Sequence, residues 1–151
     1  MELDVLLAEN ESSVLDEAYD VLERSQVAHY EAAGEKFTRD KLAGLFELVV
    51  AAIRTKNLAG VGQYSEAVAV ERYGQGFDIS EVQAAYNALE EAMWRHVIAS
   101  VPADELPEAI GLLSTVLGFG KDTLARTYVS QACKRHVPSL DLTALFAGTT
   151  S

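Results

Sequence analysis

Three histidines (His29, His96, His136) and one cysteine (Cys133) are the side chains best suited to nucleophilic or metal chemistry, so their spacing comes first. A di-metal helical bundle needs Glu-x-x-His pairs, which bring a carboxylate and an imidazole to one metal from adjacent turns. The residues three before the histidines are Gln26, Met93 and Cys133, so no such pair exists. Cys133-x-x-His136 is half a site beside the basic Lys134-Arg135 pair, and the simpler reading is a surface thiol near a helix end. A phosphotransfer histidine sits exposed on a helix, usually followed by a Lys and a small residue. His96 is followed by Val-Ile-Ala-Ser and His29 by Tyr-Glu-Ala-Ala, and neither fits that pattern. There is no Gly-x-Ser-x-Gly, P-loop or dinucleotide fingerprint. The expectation is no enzyme, no metal and no cofactor.

A second group could serve a binding pocket. Gln26 and His29 share the apolar side of a helical pattern, Arg72 falls in an inward arc, and Tyr86 lies on another stripe, with Tyr64 and Tyr128 as further aromatics. Buried polar groups need partners. The bland reading is a rim histidine, an arginine that snorkels or pairs with Glu81 or Glu90, and core tyrosines with their hydroxyls at the edge. The sharper reading is a small-molecule pocket between helices, with Arg72 facing a ligand anion.

The elements that must position these residues are all helical. Apolar residues recur at a period near 3.6, strand-like alternation is not sustained, and prolines are confined to Pro102, Pro107 and Pro138. The short apolar segment Leu3–Ala8 is followed by a clear pattern from about Ser13 to Ala33, centred on Leu15, Ala18, Tyr19 and Leu22 and stopped by Gly34. Thr38 is expected to cap a second helix to about Asn57, whose wide apolar arc implies neighbours on several sides. A third runs to about Tyr73. Gly74 or Gly76 can end it, and Asp78 with Glu81 forms an acidic capping box for a fourth helix running to about Val101. Asp104 can cap a fifth that reaches Arg135, and a last turn is expected from Ser139 to Phe146. These predict a single-domain, up-and-down bundle of about five helices over 1–147, with 148–151 a disordered tail.

Composition narrows the partners. The 151 residues carry 12 Lys+Arg against 23 Asp+Glu, a formal charge of −11, and residues 1–23 hold eight of the carboxylates with no base. Such a field repels nucleic acid. No apolar run is long enough to span a membrane, and the acidic start is wrong for a signal peptide, so a cytoplasmic protein is expected. Helical phasing puts Asp16, Glu17, Asp20 and Glu23 on one wet face. Trp94 lies off the main stripe of the fourth helix, and Leu112, Val116 and Phe119 form a second edge on the fifth. These four are candidates for a homodimer interface, although the first and last segments could also cover them.

The stretch Glu71-Arg72-Tyr73-Gly74-Gln75-Gly76-Phe77-Asp78, continuing through Glu81, Tyr86 and Leu89, resembles the N-terminal helical sensor domain of stressosome co-antagonist proteins of the RsbR type. Similar domains precede some bacterial histidine kinases and regulators. Leu7-Ala8-Glu9-Asn10 with Leu15 is similar to the opening of those domains, and Ala18-Tyr19 stand where most examples carry Trp. The resemblance implies an all-α, often dimeric, non-enzymatic signal-input module that acts on a signalling partner. Such modules usually sit upstream of an output domain. None follows within these 151 residues, so either the chain is a piece of a longer protein or it is expected to act through a separate partner.

Overall fold

The computed structural model describes residues 2–136. Among them the chain is entirely helical and forms one compact unit: α1 (Leu3–Glu9), α2 (Glu11–Arg24), α3 (Ala28–Ala33), α4 (Glu35–Thr55), α5 (Ala59–Gly74), α6 (Ile79–Ser100) and α7 (Leu106–His136). The expected last turn at 139–146 and the tail at 148–151 lie outside the described residues.

Seven helices replace the expected five because the N-terminal pattern breaks twice. At Asn10 the chain turns between α1 and α2, and the Asn10 amide donates to the Leu6 carbonyl at 2.7 Å, competing with the helix for that acceptor. At Ser25-Gln26-Val27 the second break is sharper. Gln26 takes a left-handed φ of 53°, and Val27 is extended and buried. The single helix expected over 13–33 is therefore α2 and α3 joined at an angle. The buried line of α2 is Val14, Ala18 and Leu22, with Leu15 and Tyr19 only half-buried. Gly34, at φ 98°, ends α3 as expected. It also lets α4 begin at Glu35, three residues before the expected cap. Thr38 is consequently buried inside the helix, and its hydroxyl donates to the Gly34 carbonyl instead of capping.

α4 occupies the middle of the molecule and contacts all six other helices. Its buried Leu42, Leu45, Phe46, Val49, Val50, Ala52 and Ile53 span the wide arc seen in the sequence. A helix apolar on several sides must be surrounded, and this one is. Around it α5 lies along α7, α7 along α6, and α6 along α2. α5 and α6 meet α7 closely at Gly120, where an added Cβ would come within 3.0 Å of the Tyr86 ring and 3.1 Å of Val61. No helix among the described residues is long and apolar enough to cross a membrane.

Candidate functional site

The turn between α5 and α6 gathers most of the polar chemistry of the interior. α5 ends in a Schellman motif: the Phe77 N–H reaches the Arg72 carbonyl at 3.0 Å, and the Gly76 N–H reaches the Tyr73 carbonyl at 3.2 Å. Gly76 supplies the left-handed residue, at φ 86°. Asp78 then caps α6, and Glu81 completes the capping box by accepting from the Asp78 N–H at 2.8 Å. Both features were legible in the sequence.

This geometry sends two side chains inward. Arg72 is fully buried (0% exposed), with its guanidinium 4.7 Å from the centre of the Phe37 ring and 5.4 Å from that of Phe77. The hydrophobic contact that usually closes a Schellman motif is thus made by a cation on an aromatic face. Nη1 of Arg72 donates to Glu71 at 2.6 Å and to Gln75 at 3.2 Å. Nε and Nη2 are buried and meet no acceptor in close hydrogen-bonding geometry, and the Tyr30 hydroxyl interacts with the guanidinium. The arginine therefore neither snorkels nor pairs with Glu81 or Glu90. Hydrogen bonding to Arg72 holds the Glu71 carboxyl below the ordinary range.

Phe77 is the second inward group. The Tyr30 ring meets it edge-on at 5.0 Å, His29 lies against it at 4.8 Å, and its carbonyl accepts from the Tyr128 hydroxyl at 3.2 Å. Burial pushes the Tyr128 and Tyr64 hydroxyls up to about 12, and raises those of Tyr30 and Tyr86 as well. All four therefore remain protonated near neutrality and act as neutral hydrogen-bonding groups.

Glu81 ties the junction to α3. Besides closing its own cap, it accepts from the backbone N–H of His29 at 3.1 Å and lies 2.8 Å from the His29 ring. Burial disfavours its charge, but the N–H of Asp78 and the ring and N–H of His29 outweigh that and hold its carboxyl below the ordinary range. One carboxylate thus caps α6 and satisfies an orphan N–H at the start of α3. Glu81 was read from sequence as a cap and as one possible partner of Arg72, not as a partner of His29. Its bond to His29 crosses 52 residues, and no local signal announces it.

The four pocket candidates do not converge. Gln26 is exposed at the α2–α3 break, and His29 is exposed and held by Glu81, so neither occupies the inward face their helical phase suggested. Arg72 and Tyr86 do line one small cavity of about 10 Å³, together with Tyr30, Thr38, Lys41 and Tyr64. Tyr86 is buried with its hydroxyl 2.8 Å from that of Ser65. The interface candidates also separate. Val116 is buried in the bundle and leaves the surface edge. Leu112 lines a cleft at one end, and Phe119, 37% exposed, packs over Gly62 of α5. Trp94 is half-buried in a groove with Asn87, Glu90, Glu91 and Lys121. Lys121 follows Phe119 by two residues, about 200° around α7, so Trp94 and Phe119 face different sides.

Neither His29 nor His96 carries assembled chemistry. His96 lies 3.3 Å from the Ser13 hydroxyl and 3.6 Å from Glu17, all toward the same nitrogen, whereas a relay needs the two partners on opposite nitrogens. Both His96 and His29 face a carboxylate that would repel an incoming phosphoryl group. No group of three or more His, Cys, Asp or Glu among the described residues is placed to hold a metal.

Fold and site together define an all-helical domain organised around a buried cation at a helix junction. Over residues 12–133, more than half of the chain, it matches the N-terminal domain of the RsbT co-antagonist protein rsbRD, and it belongs to that family. The family is one of stress-signalling regulatory domains. No curated protein and no solved structure matches the chain.

Proposed function

We propose that this domain is a non-enzymatic, cytoplasmic signal-input module that dimerises and acts by contact on a signalling partner. The observation that carries the reading is the family match over 12–133. The motif behind the sequence resemblance, Arg72 to Leu89, builds a helix junction and not a reaction centre, which supports a conformational role. By the family's own description the antagonised target is RsbT, so an RsbT-type protein, bound directly or through a co-antagonist assembly, is the partner class to test first.

Two surfaces suit such contacts. The groove around Trp94 offers a half-buried aromatic side chain, and aromatic anchors of this kind are enriched at interfaces. The acidic face of α2 offers exposed Asp20 and Glu23 to a basic partner. Asp16 on the same face is already engaged by Arg39 at 2.7 Å and is less free for docking.

Sedimentation equilibrium from low to high micromolar concentration should show a dimer that Trp94→Ala weakens about tenfold or more. A protein that stays monomeric throughout would overturn the dimer. Asp20→Lys with Glu23→Lys should weaken capture of an RsbT-type partner or its assembly while leaving the melting midpoint in place. Unchanged capture would leave that face a solvation surface only. The alternative of a metabolite- or cofactor-binding bundle gains no support from the site, because the cavity beside Arg72 holds one small particle at most.

A further inference from the structure

The shortest helix of the bundle, α3, depends on its surroundings for nearly everything that keeps it in place. It has six residues, far below the length at which a helix stands alone in water, and no side chain caps its start at Val27. Tyr30 is its one buried residue, with Val27 buried just before it, and the other five residues of the helix are exposed. Both ends are bends in the backbone. Gln26 holds a left-handed φ of 53°, a conformation disfavoured for any residue with a Cβ, and Gly34 stands at φ 98°.

The polar and aromatic ties that hold α3 down come from its two residues His29 and Tyr30. Glu81 accepts from the His29 N–H at 3.1 Å and lies 2.8 Å from the His29 ring. Tyr30 meets Phe77 edge-on at 5.0 Å, lies 6.3 Å from the Phe37 ring, and directs its hydroxyl to Arg72. The Thr38 hydroxyl, bonded to Gly34, also reaches the Tyr30 carbonyl at 3.4 Å. Moving two adjacent residues therefore breaks all of these ties together. Glu81 keeps its bond to the Asp78 N–H when that happens, so α6 stays capped.

Packing beneath α3 is incomplete. The cavity of about 10 Å³ beside Arg72 and a second hollow of about 50 Å³ share Leu22, Tyr30 and Thr38 as walls. Well-packed interiors leave few such voids. Tyr30 is a wall of both, and its withdrawal joins them.

We propose that α3 is a lid over the Arg72 junction, hinged at Gln26 and Gly34, latched by Glu81 through His29 and plugged by Tyr30. It opens as a unit while the remaining helices stay folded. Opening relieves the left-handed backbone at Gln26 and uncovers Phe77 and the guanidinium of Arg72. The junction of α5 and α6 thus has a covered and an uncovered state that differ by few contacts, the kind of bistable element through which a conformational signal acts.

Thiol labelling of the full chain with iodoacetamide tests this, in a Cys133→Ser background because Cys133 is exposed. Leu22→Cys puts a buried thiol on the wall shared by the two hollows, and Val49→Cys puts one in the middle of α4. Leu22→Cys should label roughly thirtyfold faster than Val49→Cys, at a rate nearly independent of urea below the unfolding transition. Val49→Cys should accelerate steeply with urea, since global unfolding is what exposes it. His29→Ala removes the ring from the latch and should speed Leu22→Cys labelling about fivefold. Hydrogen exchange at the Glu31 and Gly34 amides, bonded to the Val27 and Tyr30 carbonyls, gives the same readout with no cysteine introduced. It should show the same flat urea dependence and the same acceleration in His29→Ala. One common rate and urea slope for both thiols, or lid exchange and labelling unmoved by His29→Ala, would overturn the proposal. Neither result bears on dimerisation or partner capture.

Discussion

At one end of α4 and α6, around Phe37, Thr38, Arg72 and Glu81, the bundle is held by directional contacts: a Schellman turn, a capping box, a guanidinium against two phenyl rings and a carboxylate shared by two helix starts. At the other end, the start of α1, the end of α4 and the α6–α7 turn surround an open cleft of about 280 Å³. Leu3, Ile53, Ala109 and Leu112 line it beneath a fringe of Glu2, Asp4, Arg54, Lys56 and Glu108. The first end depends on partners in fixed positions. The second depends on apolar area and mixed charge in water, which tolerates displacement.

The difference should appear first at Arg72. Arg72→Ala removes a fully buried side chain and its contacts with both phenyl rings, and should cost about 3 kcal/mol in denaturant unfolding. A loss under 1 kcal/mol would mean that burying its charge offsets most of what it contributes. Glu81→Ala comes next at about 2 kcal/mol, since it strips acceptors from the N–H groups of Asp78 and His29. Glu81→Gln, which keeps the capping-box acceptor, should lose less than half of that; equal losses would show that the charge matters more than the cap. Gly76→Ala forces a Cβ into φ 86° and should cost about 1 kcal/mol. A neutral result would mean that the turn relaxes.

Acidification should sharpen the contrast further. Glu81, Asp78 and Glu71 all have carboxyls held below the ordinary range in the folded state, so each contributes stability above its unfolded value. That contribution is lost as pH falls through the folded values, from about pH 4.5 downward. Hydrogen exchange at the first turn of α6 should accelerate in that window before the middle of α4 does, and simultaneous loss would argue for one cooperative unit. The smallest effect belongs to the cleft: Asp4→Asn and Glu108→Gln should each change stability by less than about 0.5 kcal/mol. A larger cost from either would erase the contrast between the ends.

Local signals in the chain account for much of this. Gly34 and Gly76 stop helices, Asp78 with Glu81 starts one, and the wide stripe of α4 lies mostly inside, with Leu48 half-buried. Phase alone misplaced Gln26 and His29, because a helical wheel presumes an unbroken axis and the left-handed Gln26 resets it. It also put Val116 on an outer edge, although that residue packs inside the bundle.

Composition, period and capping chemistry thus determine an acidic, all-helical domain and the turns at Gly34 and Gly76–Asp78, since those depend on neighbours within about four residues. The contact of Arg72 with Phe37 and Phe77, the reach of Glu81 to His29, and the small cavity beside the guanidinium belong to tertiary structure alone. Each joins groups from helices far apart in the chain. Whether a charge at such a place is hydrated, paired or left with open donors depends on how those helices pack.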